Sequence, residues 1–290
     1  MKSSFARSLA PTLLCLFALA SASFAATNPL NGPNGLAIDS SGNLYVANSL
    51  GSNILVFNPS YAQVKADTIT AAIATPTGIA IDPKGNLWVA NYAASNGGSQ
   101  GSITKYTKGK QDDGAITSGI SFPEALAIDG AGNIWVENGH NYINVYAQPV
   151  LSNQGVPTLA QTFGLTGPIY GMAVSNGTIG WGTASNVYFG SSTLALASGS
   201  TEGLEALTEA EGDTGLSIAT DASGDFYMGN FDNTVYISRP NQLPALFVQL
   251  AFAPAGIAVD NVRGRVYLSN YAGNSISVYS TAGVLLKVIE

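Results

Sequence analysis

Residues Gly35 to Asn48 read GLAIDSSGNLYVAN, and the chain writes this phrase six times. Gly78 to Asn91 is GIAIDPKGNLWVAN, and Ala125 to Asn138 is ALAIDGAGNIWVEN. A degraded fourth copy starts at Gly171 (GMAVSNGTIGWGT), the fifth is Ile218 to Asn230 (IATDASGDFYMGN), and the sixth is Gly256 to Asn270 (GIAVDNVRGRVYLSN). The anchors Asp39, Asp82, Asp129, Ser175, Asp221 and Asp260 stand 43, 47, 46, 46 and 39 residues apart. A period in the forties, built from short apolar strands and glycine turns, predicts a β-propeller. The expected fold is all-β, with six blades of four antiparallel strands each.

Within a repeat, the Gly-Leu-Ala-Ile type segment is the innermost strand, where small residues let six strands converge on one axis. Asp and the following Gly-Asn pair form a tight hairpin, since Asp bonds nearby backbone N–H groups and Gly accepts positive φ. The second strand carries a large aromatic (Tyr45, Trp88, Trp135, Tyr227, Tyr267) expected to wedge between blades. Third strands are expected at Ile54–Phe57, Ile103–Tyr106, Ile143–Tyr146, Val187–Phe189, Val235–Ile237 and Ile276–Tyr279. Outer strands are expected at Thr68–Thr70, Ala115–Ile120, Leu159–Phe163, within Ser192–Thr208, and at Ala245–Ala251 and Val284–Ile289. The last repeat supplies its own outer strand, which predicts ring closure by packing of blades one and six without strand exchange.

Residues 1–25 read as a signal peptide. Lys2 and Arg7 are its basic region, Leu9 to Ala20 its short apolar region, and Ser23-Phe24-Ala25 its cleavage site. A short lead, 26–33, then precedes the propeller at 34–290. No later run is apolar enough for a membrane-spanning helix, so the chain is expected to be exported to the periplasm or beyond the cell. Cys15 lies in the leader, and the exported chain has no cysteine for a disulfide. Beyond the leader, 9 basic residues face 18 acidic ones. An acidic chain without a Lys/Arg cluster excludes nucleic acid as a partner.

The GLAID-SSGNLYVAN and GIAID-PKGNLWVAN strings, each followed by an Ile-x-x-Tyr/Phe strand, resemble NHL-repeat propellers. More loosely, the chain is similar to the gluconolactonase-like six-bladed group. The resemblance spans about 34 to 290 and implies a propeller whose channel face is the ligand site. Gluconolactonase-like enzymes place metal-binding Asn and acidic residues just before the inner-strand Gly, and Asn34 and Glu124 match that position. Oxygen ligands of this kind suit calcium or magnesium. The other lead-in positions are Thr77, Tyr170, Thr214 and Ala255, which leaves one carboxylate. No other cofactor is indicated.

His140 is the only histidine, so a three-His zinc site is excluded. A general-base role for His140 with Glu137 requires both at the channel mouth. The recurring Asp of each hairpin reads as structural, because a folding role repeats in every blade. The Asn closing the second strands (Asn48, Asn91, Asn138, Asn230, Asn270) tolerates left-handed turns, so blade geometry accounts for its recurrence. With the following Tyr92, Phe231 and Tyr271 it also has the chemistry of an uncharged recognition surface. A protein, peptide or neutral glycan ligand suits that face. The expected function is a binding or scaffolding module. The alternative is a metal-dependent lactonase-like hydrolase or lyase.

Overall fold

The computed structural model describes residues 28–93, 100–139, 142–147, 158–164, 168–183, 186–191, 205–207, 215–239 and 242–290. Six antiparallel sheets, each built from consecutive strands, form the six blades of a β-propeller. The inner strands are Pro33–Ile38, Pro76–Ile81, Pro123–Ile128, Ile169–Ser175, Gly215–Thr220 and Gly256–Asp260. The second strands are Leu44–Asn48, Leu87–Asn91, Ile134–Asn138, Thr178–Thr183, Phe226–Asn230 and Arg265–Asn270. The third strands are Asn53–Phe57, Ser102–Thr107, Tyr142–Ala147, Val187–Ser191, Thr234–Ser238 and Ser275–Ser280.

Outer strands occur in blades two to six: Lys110–Ile116, Thr158–Gly164, Glu205–Leu207, Ala245–Gln249 and Leu285–Ile289. Blade one departs from the expected four strands. Its outer segment forms no strand and meets the third strand through isolated bridges, Ile54 with Ile69 and Phe57 with Gln63, and the Val64 N–H bond to the Val56 carbonyl. In blade two the outer strand starts earlier than expected, because Thr107 turns through Lys108 and Gly109 directly into it.

The second-strand aromatics fill the seams. Trp88 packs with Leu126, Ile134 and Val136 of blade three, and Trp135 with Ile169, Met172 and Ile179 of blade four. Tyr227 packs against blade six, and Tyr267 carries the stacking across to Leu36, Leu44 and Val46 of blade one. Each buried ring of this size contributes about 2–3 kcal/mol by leaving water. The core is thus six inter-blade layers arranged round an axis.

Neighbouring inner strands pack backbone against backbone around the axis. A Cβ on Gly35 would lie 2.3 Å from the Thr77 carbonyl oxygen, and one on Gly256 2.3 Å from that of Asn34. Inner strands of blades one and six lie side by side, closing the ring without strand exchange among the described residues. The lead adds a staple: Asn28 Nδ2 donates to the Asn274 carbonyl (2.7 Å), and the Gly32 N–H donates to Asn274 Oδ1 (2.8 Å).

At the opposite end of the blades, the hairpins of every blade but the fourth, which has Ser175 instead, carry an organising Asp. Asp82 Oδ1 accepts the backbone N–H groups of Lys84 and Asn86, both at 2.9 Å. Its Oδ2 accepts Asn86 Nδ2 at 2.8 Å and the Trp88 indole N–H at 3.1 Å. Asp129 repeats the pattern with Ala131, Asn133 and Trp135. Burial pulls the Asp82 carboxyl upward, but its donors outweigh that and hold it below the ordinary value. In blade five, Asp225 stands where these hairpins have Asn, so Asp221 Oδ1 accepts the Ser223 and Asp225 backbone N–H groups but the position-225 side chain offers it no amide. Burial, then the charge of Asp221, raises the Asp225 carboxyl, and Arg239 at 3.3 Å opposes the rise. Burial, reinforced by the same two carboxylates, pushes Tyr227 up to about 12.

Candidate functional site

Register places the start of each inner strand beside the end of the second: Pro33 pairs with Asn48, Pro76 with Asn91, and Pro123 with Asn138. The hairpins joining second and third strands therefore surround the same channel mouth as the lead-in loops. In blades one to five the ladder shifts just inside the inner strand. Bulges of this kind re-aim side chains beside sites. Here they free Asn34, Thr77 and Glu124 from the pleat.

A cavity of about 70 Å³ lies on the axis, lined among others by Asn34, Thr77, Glu124, Tyr170, Ser217 and Ala255. Asn34 and Glu124 thus come to one cavity, as their position before the inner-strand Gly suggests. Thr214 lies outside the described residues, and Ser217 lines the cavity from blade five. Thr77 Oγ1 is taken up by the Pro123 carbonyl (2.9 Å), and Ser217 Oγ by that of Pro254 (2.7 Å). With roughly 30 Å³ for each water, the space suits a few waters or an ion. It falls far below the roughly 300–1,000 Å³ that encloses a drug-sized ligand.

The donor set does not amount to a calcium cage. Calcium takes about six to eight oxygens, and among the described residues Glu124 is the single carboxylate lining the cavity. Among the described residues, no group of three or more His, Cys, Asp or Glu side chains comes together. Asp232 folds back on its own turn, where Oδ1 accepts the Thr234 N–H (3.0 Å) and hydroxyl (2.5 Å).

Glu137 is not at the mouth. It is fully buried on the second strand of blade three, where its Oε2 accepts the Glu124 backbone N–H at 2.8 Å. Blades one and two carry Ala47 and Ala90 at this place in the repeat. Glu137 therefore supports the strand that presents Glu124, behind the cavity wall. His140 lies outside the described residues.

The second-strand Asn residues divide. Asn48, Asn91, Asn138 and Asn230 are buried. Asn48 Oδ1 accepts the Asn31 N–H (2.6 Å), Asn91 Oδ1 that of Ala74 (2.9 Å), and Asn138 Oδ1 that of Ser121 (2.5 Å). These amides tie each lead-in loop to its blade and present nothing to a ligand. Asn230 donates to Thr234 Oγ1 at 3.1 Å, and among the described residues its Oδ1 has no partner. Asn270 is partly exposed, with Oδ1 accepting the Gly273 N–H.

The aromatic members do reach the surface. Phe231 is 46% exposed and Tyr271 37%, and Tyr92 is half-buried against Phe122. The same mouth exposes Leu50, Phe122 and Tyr142, which the repeat pattern did not single out. Leu50 and Phe122 lie in a hairpin and a lead-in loop and Tyr142 at the first position of a third strand, where the repeats diverge, so periodicity has no grip on them.

Comparison with known proteins places this geometry among propellers. No family model matches the chain, and no curated protein sequence matches it. Solved structures do. A gluconolactonase from Xanthomonas campestris is similar with a TM-score of 0.65 at 13% identity, over 89% of this chain and 88% of that one. A chain of the nidogen/laminin complex matches with a TM-score of 0.62 at 14% identity, over 82% and 90% of the two chains. A chain of Kuenenia stuttgartiensis hydrazine synthase gives 0.60 at 15% identity, over 90% and 99%. The likeness is one of fold. It joins an enzyme of small molecules and a protein of a binding complex on one scaffold, so the site must carry the functional argument.

Proposed function

We propose that the chain is an exported, NHL-like propeller that acts as a binding module through its channel mouth. One observation carries this reading. The mouth pairs a small axial cavity with a ring of exposed apolar side chains, Leu50, Phe122, Tyr142, Phe231 and Tyr271. Such a face contacts a ligand laid across it, and the axial cavity between the described residues is small for an enclosed substrate. The fold's appearance in the nidogen/laminin complex is consistent with that use.

The test immobilises the protein and a Phe231→Ser/Tyr271→Ser variant on parallel columns. Extracts of the expressing cells' envelope and medium are passed over both. A component held by the wild type and lost from an equally stable variant supports the reading. Equal retention, or none, removes it.

A second reading, a metal-dependent lactonase-like hydrolase, is favoured by the meeting of Asn34 and Glu124 in the axial cavity. It predicts a rise in unfolding temperature with calcium or magnesium that EDTA and Glu124→Gln abolish. At a 100-fold excess over Kd, such a ligand stabilises by about 2.7 kcal/mol. A flat response to both ions removes this reading.

A further inference from the structure

Resting on the binding-module reading, we infer that the mouth binds a neutral glycan chain, stacking sugar rings on three apolar clamps set at alternate blade seams. Tyr92 of blade two meets Phe122 of blade three with ring centroids 5.2 Å apart and planes at 43°. Tyr170 of blade four meets Phe231 of blade five edge-on, at 5.1 Å and 83°. Tyr271 of blade six and Leu50 of blade one converge over Gly32, where an added Cβ would lie 3.1 and 2.8 Å from them. The clamps thus stand on seams 2/3, 4/5 and 6/1, two blades apart round the mouth.

The first clamp stands on a position where the repeat itself turns to positive φ before Pro, since Thr75 holds +47° there in blade two. Phe122 holds φ at +48°, in the left-handed region, with its side chain 38% exposed. Gly32 takes the same place before Pro in blade one, at +66°, without steric penalty. A bulky residue there costs about 1–3 kcal/mol, and such strain concentrates at ligand sites.

The chemistry of the face narrows the ligand. Every Lys and Arg after the leader lies on a strand, in an outer segment or at the opposite end, and none in the loops of the mouth. Phosphates and uronic acids thus find no lysine or arginine counter-charge there. The strands meet this face end-on, so no sheet edge is offered for a peptide to extend. Aromatic rings beside amide, hydroxyl and backbone groups match a pyranose, which presents a flat C–H face and a rim of hydroxyls.

The test is native affinity electrophoresis of the protein, expressed with its own leader, in gels cast with hydroxyethyl cellulose, galactomannan or dextran. Polygalacturonate is the anionic control. Retardation is expected in at least one neutral gel. Phe122→Gly should weaken it roughly tenfold in Kd without lowering the unfolding temperature, since Gly suits a positive φ. Tyr271→Ala should weaken it similarly. No retardation in neutral gels, retardation by polygalacturonate alone, or indifference to both variants overturns the inference. In parallel, a random peptide library is panned on the wild type and counter-selected on a Phe122→Gly/Tyr271→Ala variant. Peptides that depend on these rings would replace the glycan and keep the binding face. If neither probe depends on the rings, both readings fall.

Discussion

The Thr77 hydroxyl donates to the Pro123 carbonyl at 2.9 Å, bonding the inner strand of blade two to that of blade three. Ser49 does the same for Pro76, Ser217 for Pro254 at 2.7 Å, and Ser269 for Asn34 at 2.8 Å, the last across the closure of the ring. Thr77→Val keeps the shape and removes the donor. It should cost about 1 kcal/mol in urea unfolding. Ser269→Ala should cost a similar amount, with faster proteolysis near both termini because its bond joins blade six to blade one.

Gly35→Ala drives a methyl into the Thr77 carbonyl, and backbone cannot swing aside as a side chain does. The expected loss is about 2–3 kcal/mol, the range for overpacking. Blade three already has Ala125 at this place, buried and accommodated. Ala125→Gly should therefore cost no more than about 1 kcal/mol, from chain entropy. Thermal unfolding of the two variants, side by side, checks the asymmetry.

Asp129→Ala leaves the buried Trp135 indole N–H and the Asn133 amide without their acceptor. A loss of about 3 kcal/mol is expected from several unmet donors. The tryptophan emission should shift to the red under native conditions. Asp129→Asn keeps one acceptor oxygen and should lose clearly less.

Blades two and five should respond to pH with opposite sign. The Asp82 carboxyl is lowered in the fold, so its contribution is present above the unfolded value near 3.8 and is lost as pH falls through the folded one. Asp225 is raised, so its contribution is present below 3.8 and is lost as pH rises through its folded value. Asp225→Asn restores the amide that other hairpins use. It should gain about 1 kcal/mol at pH 7 and nothing well below pH 3.8. The lost Arg239 pair subtracts little, because Arg239 is 41% exposed. Urea unfolding at pH 7 and pH 3 measures the difference.

Blade number, the hairpins and the Asp caps were legible in the residues alone. Their interactions close within a few positions, as when Asp82 reaches Asn86 and Trp88, so short-range order encodes them. The role of the Asn residues was not legible. Asn48 and Asn91 bond loops 17 residues upstream, and an amide that caps a turn reads the same as one awaiting a ligand. Glu137 likewise read as a mouth residue until strand register put it behind Glu124. Only the closed ring decided that Tyr92 meets Phe122, that Tyr170 meets Phe231, and that the axial cavity stays small. Those contacts join neighbouring blades, and their distances depend on how six sheets pack about one axis.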